Sequence, residues 1–241
     1  MISAGPYRFL EAVGPDDLAR VQSLRARVFR HGRDGASGSA DADDHDQRCQ
    51  HFLIEHGGNG TALAAFRMMI LPGAEALPQS YSAAYYDLAP LAQLSGPMAE
   101  LGRFCLAPGL QDPFLLRFAW AAIARQALAA NVGFLFGCSS FAGAEPLSHA
   151  VGLNYLWRHH LGPATLRPKA LQPVALPEGG VEETAPLPPL LRFYLALGGW
   201  VGEGAVADPD LDTLHVFTGL HLADIPPARR KSLLALVSPG G

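Results

Sequence analysis

The sequence predicts an α/β fold, one domain built around a mixed sheet. Three observations carry that reading. Strand-like and helix-like stretches alternate along most of the chain. The stretch 113–130 has helical character and almost no charge, only Arg117 and Arg125, so it needs extensive burial. Residues 162–189 carry seven prolines and therefore must be extended and irregular. The expected organisation is a single domain over 1–241. Its core is 1–161, the proline-rich connection is 162–189, and residues 190–241 complete the same domain.

The elements are justified in chain order. Tyr7 to Val13 reads as a first strand. Gly14-Pro15-Asp16 then signals a helix start, and Leu18, Val21, Leu24 and Val28 recur at helical spacing. Arg25 and Phe29, four apart, share the neighbouring face. Residues 30–42, rich in Gly, Ser and charge, predict a loop that ends in an acidic cluster, Asp41, Asp43, Asp44 and Asp46. His51 to Glu55 and Ala62 to Leu71 read as a hairpin around His56-Gly57-Gly58-Asn59-Gly60. Tyr81 to Leu94 is expected to be a helix or an irregular layer, with Tyr81, Tyr85 and Tyr86 packing. Met98 to Leu106 is a strand. Asp112-Pro113 is an N-cap followed by a proline at the first helical position, opening the buried helix that Asn131 and Gly133 end. Val132 to Cys138 predicts a buried strand and Glu145 to Leu153 a helix. Leu190 to Leu197 reads as a short helix, Val206 to Asp212 as an acidic turn, Thr213 to Leu222 as a strand and Pro226 to Val237 as a last helix.

Composition narrows the function. The 241 residues are 49% hydrophobic and 17% charged, which fits a folded chain with a substantial core. A net charge of −4 gives no general case for nucleic acid. Cys49, Cys105 and Cys138 lie far apart, so the spacing suggests neither a zinc site nor a disulfide framework, and no metal is expected. A reducing, cytoplasmic setting fits. The first residues lack the features of a signal peptide. No uncharged apolar run reaches the roughly 18 residues of a spanning helix.

The most informative stretch is Met98-Ala99-Glu100-Leu101-Gly102-Arg103-Phe104-Cys105-Leu106. Residues i and i+3 of a regular strand face opposite ways, so Glu100 and Arg103 share a face only if the strand bulges, and Gly102 is the candidate for that bulge. Two further stretches join it. One is Leu24-Arg25-Ala26-Arg27-Val28-Phe29 with Asp43-Asp44-His45-Asp46-Gln47-Arg48-Cys49. The other is Phe134 to Phe141, FLFGCSSF. Together they resemble the bacterial L-ornithine Nα-acyltransferases, part of the acetyltransferase-like (GNAT) superfamily and related to acyl-homoserine-lactone synthases. Leu153-Asn154-Tyr155-Leu156-Trp157-Arg158, Leu187 to Leu195 and Gly204 to Asp208 resemble the former group and not the lactone synthases. The similarity runs from about Arg8 to Arg230.

The resemblance implies a GNAT-like acyltransferase fold with helices on both faces of a mixed central sheet. It also implies transfer of a 3-hydroxyacyl group from acyl carrier protein to the α-amine of L-ornithine, the first step of ornithine lipid synthesis. The phosphopantetheine of the carrier would be the donor arm, and no separate cofactor is expected. An amine attacks a thioester only when deprotonated, so a base is needed, and Glu100 is the candidate. Its alternative role is as a partner of Arg103. Backbone N–H groups at Phe104, Cys105 and Leu106 are candidate oxyanion donors. Ser139, Ser140 and Tyr155 are candidate weak donors, and Cys138 reads as a buried small side chain. Asp43 and Asp46 either hold the acceptor's ammonium groups or form a solvated acidic loop. Arg25 and Arg103 are candidates for the acceptor carboxylate or the pantetheine phosphate. Arg67 matches an arginine of the related synthases, with a structural ion pair as the alternative, and Phe29 is taken as a substrate contact. Basic groups at Arg27, Arg30 and Arg33, or at Arg158, Arg167 and Lys169, would steer an acidic carrier protein. The apolar C-terminal region, with Leu190, Phe193, Trp200 and Phe217, serves as core or touches the inner membrane peripherally.

The sequence also departs from the pattern. The superfamily's pyrophosphate loop is absent after Leu106, although the helix start at Pro113 can still meet a phosphate. Gln111 stands where arginine is expected, His45 where tyrosine is expected, and Ala64-Ala65 where a glycine precedes Phe66-Arg67. Three other readings remain. They are the same chemistry on glutamine, glycine or lysine, an acyl-homoserine-lactone synthase, and a non-catalytic membrane-associated protein. The lactone synthase is disfavoured because no tryptophan lies between Phe29 and Asp43.

Overall fold

The computed structural model describes residues 2–30, 40–176 and 184–237. The short strand β1 (Ile2–Ala4) turns at Gly5, which has a positive φ, into β2 (Tyr7–Glu11). Helix α1 (Pro15–Phe29) starts on a proline, as expected, and buries Val21, Leu24 and the side chain of Arg25. A 3-10 turn, Asp44–Arg48, leads into β3 (Gln50–His56), which pairs antiparallel with β4 (Ala62–Leu71) in the predicted hairpin. Part of the loop expected at 30–42 lies outside the described residues.

Residues 74–93 form three 3-10 turns, Ala74–Gln79, Tyr81–Ala84 and Ala89–Gln93, with the two-residue strand β5 (Tyr86–Asp87) among them. Strand β6 (Met98–Leu106) and helix α2 (Pro113–Ala129) match expectation. Strand β7 (Phe134–Ala142) runs four residues beyond the predicted end. The helix expected at 145–153 is instead a 3-10 turn, Pro146–His149, followed by α3 (Ala150–His159). The proline-rich stretch contributes β8 (Lys169–Ala170). Helix α4 (Pro189–Ala196), β9 (Trp200–Asp208), β10 (Thr213–His221) and α5 (Pro227–Ala235) complete the order. The predicted acidic turn at 206–212 is in part the end of β9, so that reading is corrected.

The contacts divide the chain into two compact units. One holds residues 1–70, 101–131 and 227–241, the other residues 71–100 and 132–226. The division falls inside β6, between Glu100 and Leu101.

In the first unit the strand order is β1-β2-β3-β4-β6. Alternation sorts its side chains. Leu53, Ala65 and Cys105 pack with Val21 and Leu24 of α1. Phe9, Phe52, Phe66 and Phe104 form a stack on other positions of the same strands, with centroid spacings of 4.9–6.2 Å. The start of α2 is tied down by Asp112, which accepts the N–H groups of Phe114 and Leu115 at 2.7 and 3.2 Å and the hydroxyl of Tyr7.

In the second unit the order is β6-β7-β10-β9-β8-β5. The β6–β7 pair is parallel, with Met98 to Glu100 opposite Phe134 to Phe136, whereas β7 pairs antiparallel with β10 along its whole length. The sheet is therefore mixed. One of its faces carries Phe141, Val201, Leu214 and Val216 against Leu153 and Leu156 of α3 and Leu191 of α4. Proline-rich residues run along β9, with Glu203 N–H on Pro168 and Val174 N–H on Ala205. Gly202 permits this approach, since a Cβ there would lie 2.7 Å from the Pro168 carbonyl oxygen.

Candidate active site

Two groups of polar residues contain nominated site residues, one in each unit. The first is an ion-pair cluster built by α1, the turn at 44–48, β4 and β6. Helix α1 presents Arg25, fully buried, whose Nε donates to Asp41 at 2.8 Å and whose Nη1 donates to Asp46 at 2.9 Å. Arg30, just past the helix, reaches the other oxygen of Asp41. Arg67 on β4 uses Nη1 for both Asp43 and Asp46, the latter at 2.6 Å. Arg103 on β6 donates to Asp41 at 3.1 Å and Asp43 at 2.9 Å, with its guanidinium 5.9 Å from the centre of the Phe29 ring.

Five predicted site residues therefore meet here, Arg25, Asp43, Asp46, Arg67 and Arg103, with Phe29 against Arg103. Asp43 and Asp46 are not a solvated acidic loop. Burial pushes the Asp43 carboxyl up, but the Arg67 hydrogen bond and the charges of Arg67, Arg103 and Arg25 outweigh it and leave it below the usual range. Asp46 follows the same balance, with Arg25 and Arg67 as the partners. Arg67 is pushed down by burial and more strongly up by Asp43 and Asp46, so it stays charged. The outward members are Asp43 and Arg103, with side chains 24% and 10% exposed. Arg25 Nη2 is buried without a hydrogen-bond partner among the described residues.

Asp41 belongs to the cluster although the sequence reading did not nominate it. It is completely buried and accepts from three arginines. Its signal was available in the spacing of Asp41, Asp43 and Asp46, which puts three carboxylates within reach of one turn.

The left-handed backbone position is Arg103, with φ 50°, and not Gly102. Gly102 instead leaves room for Arg67, whose Nε would lie 3.2 Å from an added Cβ. Phe104 stacks on Phe66, and the Cys105 side chain is buried beside α1, where burial raises its thiol to about 12.

The second group centres on Glu100, which is buried. Its Oε2 accepts the N–H of Tyr81 at 2.8 Å. Its Oε1 accepts the N–H and the hydroxyl of Ser82 at 2.7 and 2.6 Å. The partners described for Glu100 are thus the first residues of a 3-10 turn, which has no cap from its own Ser80. Glu100 supplies the cap from β6. The Arg103 pairing considered from sequence gives way to these contacts.

Cys138 lies 3.5 Å from the Ser82 hydroxyl, and burial with the Glu100 charge pushes its thiol far up. It is a thiol and not a nucleophile in waiting. Ser139 is buried and accepts from Thr218 at 2.9 Å, while its neighbour Ser140 is exposed. The Tyr155 ring lies tilted against those of His159 and His160, with centroids 4.8 and 5.5 Å away.

Residues 81–86 and β9–β10 extend this group beyond the nominated residues. The Tyr81 hydroxyl donates to Asp208 at 2.6 Å, and the Tyr86 hydroxyl donates to the His215 carbonyl at 2.9 Å. Tyr85 meets the His215 ring edge-on at 4.9 Å. Burial pushes the His215 imidazole down to about 4, against a smaller upward pull from Asp208, so it is neutral near pH 7.

One expected phosphate contact is corrected. The helix start at Pro113 has its Phe114 and Leu115 N–H groups occupied by Asp112, whose own charge opposes an incoming anion. Among the described residues no group of three or more metal-type ligands is found.

Comparison with known proteins places the chain. Residues 24–121 match the acetyltransferase (GNAT) domain family. An N-acyl amino acid synthase from uncultured soil microbes shares the fold, with a TM-score of 0.54 at 13% identity and 90% coverage of each chain. A CoA-dependent acyl-homoserine lactone synthase superposes with a TM-score of 0.52 at 10% identity, covering 98% of this chain and 96% of its own. Among curated proteins, L-ornithine N(alpha)-acyltransferase of Rhodobacter capsulatus is 31% identical over 227 residues, 87% of this chain and 88% of that protein. Its counterpart from Brucella abortus is 33% identical over 83% of this chain and 79% of that protein. The chain is an acyltransferase and belongs to the L-ornithine Nα-acyltransferase family.

Proposed function

We propose that the protein transfers a 3-hydroxyacyl group from acyl carrier protein to the α-amine of L-ornithine, a step of ornithine lipid synthesis. The observation that carries this reading is the 31% identity across 88% of a relative named for that acceptor. The ion-pair cluster supports it chemically. Ornithine brings two ammonium groups and a carboxylate. Asp43 and Arg103, the partly exposed members, offer the matching carboxylate and guanidinium. Arg67 holds Asp43 and Asp41 holds Arg103, with Arg25 and Asp46 bonded to those two holders, and Phe29 lies against Arg103.

The donor side is assigned to β7. Among the described pairings, β7 beyond Phe136 pairs with β10 alone, so Gly137 to Ala142 keep backbone groups for an extended ligand. A pantetheine arm, with its two amides, is such a ligand. The occupied start of α2 and the missing pyrophosphate loop support a carrier-protein donor with a single phosphodiester. Glu100 is assigned the proton from the attacking amine, through the lone pair left on Oε2 after Tyr81. An amine with a pKa near ~8 is mostly protonated at neutral pH and needs such an acceptor. The backbone N–H groups at Phe104 and Cys105 are assigned to the tetrahedral oxyanion. The thiol leaves without a strong acid.

The test incubates the purified protein with 3-hydroxyacyl carrier protein and separate amino acids, and identifies products by mass. N-acyl-ornithine is the expected product. Acylation of glutamine, glycine or lysine in its place overturns the acceptor. Transfer only from acyl-coenzyme A overturns the donor. Consumption of S-adenosylmethionine to yield a lactone overturns both. No helix of the described residues is long and apolar enough to cross a membrane. Peripheral contact with the inner membrane is part of this proposal, tested by co-sedimentation with anionic vesicles.

A further inference from the structure

The second unit contains a cavity of about 500 Å³ that none of the assigned roles uses. Its size falls within the roughly 300–1,000 Å³ of small-molecule sites. Four alanines, Ala74, Ala83, Ala89 and Ala92, give it space, and Leu77 and Leu88 form a buried apolar base. Tyr86 lines it too, but its hydroxyl is committed to His215, which leaves the ring for the cavity. The single charged lining residue is Asp87, exposed at the rim. Leu171, 56% exposed, stands at the same mouth. A site so poor in polar groups recognises a hydrocarbon and not an amino acid or a phosphate.

The cavity is joined to Glu100 by one short element. The turn Tyr81–Ala84 is held at its start by the Glu100 carboxylate, through Tyr81 and Ser82, and its next residue, Ala83, is cavity wall. We propose that this cavity holds the hydrocarbon chain of the acyl donor, and that the Glu100-capped turn is the wall that sets how long a chain is accepted. The inference rests on the acyl-transfer reading above and adds the subsite that reads the acyl group. In it Glu100 has a positioning role alongside its assigned proton transfer, because it fixes the wall that Ala83 belongs to.

Two variants fill the space from different sides. Ala83→Phe enlarges the wall, and Ala92→Trp fills the rim from an exposed position, where misfolding is least expected. The readout is the ratio of kcat/KM for 16-carbon and 6-carbon 3-hydroxyacyl carrier protein. The ratio should fall at least tenfold in both variants, since each displaced methylene loses about 0.8 kcal/mol of burial, or roughly fourfold. An unchanged ratio in folded Ala92→Trp overturns the proposal. The wild-type protein is also photolabelled with a 16-carbon acyl carrier protein bearing a terminal diazirine. Label within 74–92 or at Leu171 is expected, and label confined to other segments overturns the site. The labelling needs neither acceptor nor turnover. Ornithine acylation with label elsewhere therefore sinks the cavity alone, while label in the cavity without transfer to any amino acid sinks the acceptor reading alone.

Discussion

Glu100 and Arg103 stand three residues apart in one strand and serve different partners. Arg103 joins an ion-pair cluster and Glu100 caps a turn. Both were visible in the sequence as charges in an apolar run. Their partners were not, because those come from segments 18 to 62 positions away. Glu100→Gln replaces one carboxylate oxygen with an N–H donor aimed at another donor. It should cost about 1–3 kcal/mol in urea unfolding. If Glu100 also takes the proton, the variant changes the solvent isotope effect on kcat/KM, whereas a purely holding role lowers the rate and leaves the isotope effect as it was. Arg67→Met leaves Asp43 and Asp46 without their shared partner inside the protein. Stability should drop by about 3–5 kcal/mol, read from the same unfolding curves. Arg67→Lys should recover part of it, because it restores the charge between Asp43 and Asp46 but on a differently shaped, more strongly hydrated head.

Elements were legible where their periodicity was undisturbed. Helix α1, the β3–β4 hairpin, β6 and α2 declare themselves through spacing and caps. Strand β9 did not, because Gly202 and Gly204 interrupt its alternation. Those glycines are demanded by close neighbours, the Pro168 carbonyl at one and the Ala170 side chain at the other. Helix α3 begins later than predicted, because a 3-10 turn at Pro146–His149 comes first, and Gly152, near the end of the predicted helix, is not its end. It sits inside the helix, where Phe141 would lie 3.2 Å from a Cβ. The cap of α2 offers a direct check. Asp112→Ala frees two N–H groups and the Tyr7 hydroxyl, and should lower stability by about 1 kcal/mol and Tm by roughly 2–4 °C in calorimetry.

For the whole molecule, the buried titrating groups predict a two-stage acid response. His215 is depressed in the fold, so the unfolded chain binds more protons between its ordinary pKa of 6.5 and about 4, and stability falls as pH drops through that window. The effect is on the order of 3 kcal/mol. Asp43 and Asp46 are also depressed, from 3.8, so their contribution is complete above that value and is lost as pH falls below it. Urea midpoints measured from pH 7.5 to 3 should show both stages. His215→Gln should flatten the first and leave the second. The α/β class, the mixed sheet and the family were all accessible from sequence. The division inside β6 was not, since it follows from which neighbours each half of the strand keeps and no composition change marks it.

The left-handed backbone at Arg103 has an evolutionary consequence. Glycine or asparagine would relieve roughly 1 kcal/mol of backbone cost there, and lysine would preserve the charge, but neither choice meets both demands. A library randomised at residue 103 alone should return arginine from a selection for activity, and a library randomised at 41, 43 and 103 together should return glycine or asparagine at 103 from a selection for heat resistance. The position then has few neutral neighbours in sequence space, and drift there must pass through coordinated changes at all three sites.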